Sequence, residues 1–153
     1  MEGLITKKLS RLREYLKYLK TIREISLETF LSDFKERGAA ERYLQLAIET
    51  IIDVGNEIIS ILQLRRPERY REIPHILAEN DIIPKEFADR IAKMIGFRNI
   101  LVHDYATIDR TLEYQFLKTR LSDFELFMKH IANWLKREAS EINLSKKILN
   151  DHK

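Results

Sequence analysis

The sequence predicts an all-α fold, an up-and-down bundle of four main helices with short helices between them. Only four glycines and three prolines interrupt 153 residues, so long helices are the natural outcome. Apolar residues recur at spacings of three and four along most of the chain, which is the period of a helix with one buried face. The chain is 44% hydrophobic and 33% charged, a composition typical of one folded domain with a real core.

The first half of the chain predicts two long helices. The first covers residues 4–23, where five apolar side chains form one face: Ile5, Leu9, Leu12, Leu16 and Leu19. Ser26 is a predicted N-cap for a short turn ending at Phe30, and residues 32–38 have no clear pattern. The second long helix is predicted over residues 39–64.

The second helix has a polar stripe opposite its core face. It consists of Glu49, Asp53, Asn56 and Ser60. Such a stripe is usually the solvated side of an amphipathic helix. Because Ile52 and Ile59 flank it, the stripe has a second interpretation as the lining of a cleft.

The second half begins with a basic loop over residues 65–70, broken by Pro67, and a short helix over residues 71–79. Pro84 is the predicted first residue of the third main helix, and Asp109 is a predicted N-cap. The last long helix is predicted to reach about residue 138, on an apolar stripe of Leu117, Leu121, Phe124, Met128, Ile131 and Leu135. The predicted domain is therefore residues 1–138, followed by a polar tail over residues 139–153.

Composition excludes several classes of function. The chain has no cysteine, which excludes disulfides, thiol nucleophiles and cysteine metal sites. No apolar run approaches the ~18 residues of a membrane span, and the N-terminus lacks the pattern of a signal peptide, so a cytoplasmic protein with no membrane contact is expected. His75, His130 and His152 are isolated in sequence, so neither a metal site nor a cofactor is expected. The net charge of +3 weakly favours an anionic partner.

The most informative stretch is residues 96–105, which read G-F-R-N-I-L-V-H-D-Y. Arg98 carries a fixed charge that suits phosphate oxygens, and His103 is the side chain best suited to move protons near neutral pH. Together they could bind or cleave a phosphodiester. On a straight helix, however, the two side chains point about 140° apart. Asn99 and His103 share a face, as i and i+4 neighbours do.

This geometry leaves several interpretations open. The helix could loosen near His103, the arginine could reach around it, or a second chain could complete the site. A purely structural interpretation has Arg98 paired with Asp104 or Glu57 while His103 caps backbone carbonyls. The residues by themselves favour that structural interpretation.

The longer pattern Arg-Asn-x-x-Val-His-x-Tyr resembles the signature of HEPN domains, and among them the HepT-like toxins. The resemblance extends to residues 42–56 and to Ile83 and Pro84, and covers most of the chain to about residue 138. It implies a small all-helical homodimer acting as a metal-independent ribonuclease. It also implies a cognate minimal nucleotidyltransferase antitoxin as partner and RNA as substrate.

Site roles follow from the resemblance residue by residue. Arg98 and His103 would be catalytic, Asn99 would support them, and Tyr105 would be the residue that the antitoxin adenylylates. Asp53 and Asn56 match polar positions of the HepT-like pattern and are expected to support the site. The main alternative is a non-catalytic nucleotide-binding or substrate-binding subunit of a nucleotidyltransferase complex, and a third is a plain dimeric helical scaffold.

Overall fold

The computed structural model describes the backbone of residues 2–103 and 109–151, and the side chains of residues 3–101 and 109–151. The described residues form seven α-helices and a short 3-10 helix (Tyr70–Glu72), with no strand among them. The α-helices are α1 (Glu2–Ile22), α2 (Leu27–Ser32), α3 (Phe34–Ile61), α4 (Ile73–Glu79), α5 (Lys85–His103), α6 (Arg110–Thr119) and α7 (Leu121–Asp151). The predicted all-α bundle of four main helices, α1, α3, α5 and α7, is confirmed, with α2, α4 and α6 as the short ones.

The core lies among the four long helices. The predicted stripe of α1 is buried along its length, and α3 runs beside α1 with its own apolar face fully covered. Phe30, Phe124 and Phe127 are the largest wholly buried side chains. Burying one side chain of this size stabilises the fold by on the order of 2 kcal/mol. This shared core therefore holds the site helices in place.

Short polar side chains begin three of the helices. Ser26 accepts a hydrogen bond from the Thr29 amide at 3.1 Å, and Asp109 accepts from the amides of Thr111 and Leu112 at 3.0 and 3.2 Å. Both predicted N-caps are confirmed. Asp33 caps α3 in the same way, accepting from the Lys35 amide at 3.0 Å, because the first helical amides have no partner within the helix.

Several predicted boundaries were wrong. The second long helix starts at Phe34 and not near residue 39, because Asp33 caps it there. The third starts at Lys85, one residue after Pro84. The last predicted helix is divided at Arg120, next to a buried Asp123 that lies 3.6 Å from the Arg90 guanidinium.

The helical conformation of α7 continues to Asp151, through most of the predicted polar tail. All residues from 140 to 151 are exposed, so these last turns stand apart from the core. The division of the chain at residue 138 stays a prediction. No described helix is both long enough and apolar enough to cross a membrane.

Helices α3 and α4 approach closely at Gly55. An added Cβ at this position would overlap the buried Ile73 side chain, so only glycine fits without a shift of α4. The 3-10 helix between α3 and α4 packs against α5, with Arg71 beside Gly96. The residues singled out by the sequence lie in this part of the molecule.

Candidate active site on helix α5

Arg98 lies on α5 and faces α3. Its Nη2 donates a hydrogen bond to Oε1 of Glu49 at 3.1 Å, and the same oxygen accepts from Gln45 Nε2 at 3.1 Å. The Arg98 side chain is 19% exposed and that of Glu49 31% exposed. The guanidinium is therefore partly shielded from water and held by a carboxylate, which keeps its position defined while it remains charged.

The segment after α3 provides a second contact for this arginine. The Arg98 guanidinium carbon lies 5.7 Å from the centre of the Tyr70 ring, within range of a cation–π interaction. The guanidinium of Arg71, the residue after Tyr70, packs against Gly96 of α5. Arg98 Nε is buried and has no hydrogen-bond acceptor among the described residues.

His103 is the last residue of α5. Its backbone is helical, so Arg98 and His103 lie on one continuous helix about 140° apart. The side chain of His103 and all of Asp104 and Tyr105 lie outside the described residues. Asn99, one residue after the arginine, is exposed.

Asp53 and Asn56 lie on the exposed stripe of α3 that begins at Glu49. The Asp53 carboxylate is 3.9 Å from Lys8 Nζ of α1. Asn56 lines an open cavity beside Tyr70. Neither side chain bonds to Arg98 among the described contacts, so their supporting role stays a prediction.

The proposed structural pairing of Arg98 with Glu57 was wrong, because its partner is Glu49. Two helical turns separate these glutamates, a rise of about 12 Å along α3, and the crossing point of α5 selects the earlier one. The sequence signal for Glu49 was its place on the polar stripe interpreted as a possible cleft lining. No local pattern pointed to Tyr70.

Next to Arg98, the opposite side of α5 presents an apolar surface. Phe97 stacks on Phe116 of α6 with ring centres 4.4 Å apart, and Ile100 and Leu112 are exposed beside them. These side chains line a cavity of about 460 Å³ between α5 and α6. No cluster of three or more potential metal-ligating side chains occurs within the described part of the chain.

Comparison with known proteins identifies the class to which this bundle belongs. The structure superposes with a TM-score of 0.80 on the HEPN toxin of Shewanella oneidensis, solved tri-AMPylated and in complex with its MNT antitoxin. The two sequences are 29% identical, and the match covers 87% of this chain and 99% of that one. The fold is therefore that of a HEPN toxin.

Sequence comparison narrows the assignment to one family. The chain is 32% identical over 132 residues to the tRNA nuclease HepT of Aphanizomenon flos-aquae, covering 86% of this chain and 90% of that protein. It is 30% identical over 128 residues to the mRNA nuclease HepT of Shewanella oneidensis, covering 84% and 96%. The family model described as ribonuclease HepT-like matches residues 6–131. The chain belongs to the HepT-like ribonuclease family.

Proposed function

We propose that this protein is a metal-independent endoribonuclease toxin that cleaves RNA with Arg98 and His103 and acts in the cytoplasm. The observation that carries the proposal is the partly buried, Glu49-held guanidinium of Arg98, on the same helix as His103 in a chain of this family. The two HepT relatives are named for cleaving tRNA and mRNA respectively. Family membership therefore supports RNA as the substrate class without selecting one RNA.

In the proposed reaction, the RNA 2′-oxygen attacks the adjacent phosphorus and the bond to the 5′-oxygen breaks. His103 accepts the proton of the 2′-hydroxyl. Water, or the protonated His103 of the partner subunit, returns a proton to the leaving 5′-oxygen. Arg98 donates to the phosphoryl oxygens as negative charge accumulates there, using donors that Glu49 leaves available. The products are a 2′,3′-cyclic phosphate and a 5′-hydroxyl.

A homodimer is part of the proposal. The divergence of Arg98 and His103 on one helix favours a site completed by a second copy of α5. The exposed Ile100 and Leu112 beside the motif provide apolar surface for such contact, and self-complementary two-fold association is the commonest arrangement of such proteins. Asn99, exposed on the same stretch, would orient His103, and Asp53 and Asn56 would line the approach along α3.

Silencing by a cognate nucleotidyltransferase completes the proposal. The related toxin was solved AMPylated with its antitoxin, and the resemblance of the motif to the HepT-like pattern makes Tyr105 the proposed acceptor in this chain. Its hydroxyl oxygen would attack the α-phosphorus of ATP, with pyrophosphate leaving. The added phosphate would compete with RNA for Arg98, so inhibition would be both steric and electrostatic.

The test is cleavage of RNA by the purified chain with and without EDTA. Arg98→Ala and His103→Ala are each expected to reduce the rate on the order of a hundredfold or more. Arg11→Ala and His75→Ala are matched controls, since both residues lie away from the described site, and they should cleave as the parent does. Activity that is lost in EDTA, or equal activity in all four variants, would reject the proposed site.

The regulatory part has its own measurement. After incubation with the cognate nucleotidyltransferase, ATP and magnesium, peptide mass spectrometry should find AMP on Tyr105. Tyr105→Phe should remain active and escape silencing. A parent chain that is inert on every RNA tested would favour the alternative of a non-catalytic binding subunit.

A further inference from the structure

A second polar surface adjoins Arg98 at the end of α3. An open cavity of about 690 Å³ lies there, called the α3–α4 basin. Its polar lining consists of Asn56, Ser60, Gln63, Arg66, Glu68, Arg69 and Tyr70. The volume lies within the roughly 300–1,000 Å³ of cavities that hold drug-sized ligands, so the basin has room for a nucleotide.

The loop that forms the basin is held in place before any ligand binds. Gln63 follows α3 in the left-handed conformation, with φ of 53°. This turn lets the Leu64 amide donate a hydrogen bond back to the Ile59 carbonyl at 3.0 Å. The Glu72 carboxylate accepts hydrogen bonds from the amides of Glu68 and Arg69. These bonds fix the loop backbone, which lowers the ordering cost of any binding event that uses its side chains.

The arginines of the loop divide into two groups. Arg65 makes a two-pronged pair with Glu79, at 3.0 and 2.7 Å, and Arg71 packs on α5. Arg66 and Arg69 are exposed, line the basin, and form no ion pair with a described carboxylate. Residues 65–72 carry four arginines against the two glutamates Glu68 and Glu72. Glu79 offsets Arg65 and Glu72 lies near Arg69, so the segment keeps a small net positive charge, which favours an anionic ligand.

Tyr70 joins the basin to the candidate active site. Its ring contacts Arg98 and also lines the basin, and the residue remains 50% exposed. An aromatic ring beside exposed arginines is the usual surface for single-stranded nucleic acid, where bases stack on the ring and phosphates meet the cations. A strand with one phosphate at Arg98 would continue directly across Tyr70 into the basin.

We infer that the α3–α4 basin is a subsite for the RNA strand flanking the cleaved phosphodiester, an inference that rests on the proposed function. Tyr70 stacks on a base, and Arg66 and Arg69 contact backbone phosphates. Asn56, Ser60 and Gln63 supply hydrogen bonds to base edges or to 2′-hydroxyls, the group that distinguishes RNA from DNA. The basin contributes affinity for the strand, whereas Arg98 and His103 carry the chemistry.

The experiment measures binding of a fluorescein-labelled single-stranded RNA to the full chain in a His103→Ala background, where cleavage is blocked. Tyr70→Ala should weaken binding on the order of tenfold, the effect of losing one stacked base, whereas Tyr70→Phe should bind like the background protein. Arg66→Ala and Arg69→Ala should each reduce the slope of log affinity against log salt by about 0.7, the value for one phosphate contact to a single strand. Arg11→Ala is the matched charge control.

Cleavage by chains with His103 intact separates this inference from the proposed function. Arg66→Ala and Arg69→Ala should raise KM with little change in kcat, because neither contacts the proposed reacting groups. If these variants bind and cleave like the parent while Arg98→Ala is inactive, the subsite is rejected and the ribonuclease stands. If the parent binds RNA through the basin without cleaving it, the subsite stands and the proposed cleavage fails.

Light scattering and thermal melting complete the test. If Tyr70→Ala loses its fold, Tyr70→Phe and the two arginine variants decide the outcome. If Arg66→Ala and Arg69→Ala change the oligomeric state or the affinity for the nucleotidyltransferase, and RNA binding is unaltered, the basin is a protein interface and the inference is overturned. Absence of RNA binding by the parent at low salt also overturns it.

Discussion

Two glutamates of α3 contact neighbouring helices, and the groups that they meet are of opposite kinds, a cation and a second acid. Glu49 meets Arg98 of α5 and accepts its hydrogen bond. Glu41, two turns earlier, lies beside a second carboxyl group, that of Glu113 on α6. Glu113 is wholly buried, and neither of its oxygens has a hydrogen-bond partner among the described residues. The middle of α3 thus pairs opposite charges, and its first turns bring two carboxyl groups together.

The two arrangements have different consequences for protonation. Burial, followed by the charge of Glu41, raises the pKa of Glu113 to about 9 despite the opposing influence of Arg37 and Arg110. Glu113 therefore keeps its proton in the folded protein at neutral pH, since a lone buried carboxylate is far more costly than a neutral acid. Helix α3 therefore contacts α5 through a charged pair, Glu49 with Arg98, and contacts α6 through the neutral acid Glu113.

The largest expected effect is on stability, from Glu113→Gln. The folded chain holds this proton up to about pH 9, while the unfolded chain releases it near the ordinary carboxyl value of about 4.3. Folding therefore takes up a proton in this window, and the stability of the parent falls as pH rises. Glutamine mimics the protonated acid at every pH. The free energy of unfolding of the variant, relative to that of the parent, should therefore rise by about 1 kcal/mol for each pH unit in this window.

Urea denaturation of parent and Glu113→Gln at a series of pH values between 4 and 9 measures this gain. Glu24→Gln, at a highly exposed position, is the control and should follow the parent. Parallel stability profiles for the parent and Glu113→Gln would contradict the assignment of a neutral Glu113.

The second effect concerns Asp123, a buried carboxylate that does have cations beside it. Arg90 Nη1 lies 3.6 Å from one oxygen and Arg120 Nη1 lies 4.0 Å from the other. Asp123→Asn should lower the free energy of unfolding at pH 7 by about 1–2 kcal/mol, because it leaves the neighbouring guanidinium groups without their counter-charge. Chemical denaturation measures the loss, with Glu141→Gln on the exposed end of α7 as control. A gain in stability would show that burial of this carboxylate costs more than its pairing returns.

The third effect tests the opposite-charge pair of Glu49 and Arg98 directly. Glu49→Ala removes the acceptor that holds Arg98, and the cost in stability should be about 1 kcal/mol because the pair is partly solvated. Cleavage under single-turnover conditions should fall about tenfold as the guanidinium loses its position, and Glu49→Gln should restore part of it by keeping an oxygen acceptor. Glu57→Ala is the matched control on the same helix. Equal losses in Glu49→Ala and Glu57→Ala would contradict the observed pairing.

The smallest effect involves Glu72, a half-buried glutamate whose carboxylate accepts hydrogen bonds from two backbone amides. Hydrogen bonds from the Glu68 and Arg69 amides lower the pKa of Glu72, so its contribution is present above the ordinary carboxyl pKa and is lost as pH falls through the lowered value. The protection of the Glu68 and Arg69 amides, meaning their exchange rate relative to the intrinsic rate at the same pH, should therefore fall as Glu72 is protonated in acid. In Glu72→Gln that protection should no longer change with pH in this range, and hydrogen exchange followed by NMR is the measurement.

The periodic and capping signals in the sequence account for most of the fold. The face of α1 is buried as predicted, because helical periodicity states directly which side meets the core. The stripe from Leu117 to Leu135 is buried in part: Met128 and Leu135 are only half-buried, whereas Phe127 and Trp134 beside them are buried. Ser26 and Asp109 cap helices because their short side chains reach their own backbone amides. The break at Arg120 was not predicted, since the apolar stripe continues across it and only the ion pairs of Asp123 with Arg90 and Arg120 mark it.

For the candidate site, too, some residues could be predicted from the sequence and others could not. Arg98 and His103 were identified from a short local motif, with spacing that α5 preserves. Glu49 lies 49 residues from Arg98 along the chain, and Tyr70 begins the short 3-10 helix that packs against α5. The polar stripe set Glu49 apart from Glu57 but did not identify Arg98 as its partner, because that pairing depends on where α5 crosses α3.

The sequence by itself therefore determined the helices, most of their buried faces, the family motif and the chemistry available to Arg98 and His103. These properties depend on residue type and on spacing within a few turns. Tertiary structure alone decided that Arg98 contacts a carboxylate and Tyr70, and that the buried Glu113 lies beside Glu41. Both outcomes depend on distances between helices remote in sequence, and burial sets the energy of a charge through the water that packing removes.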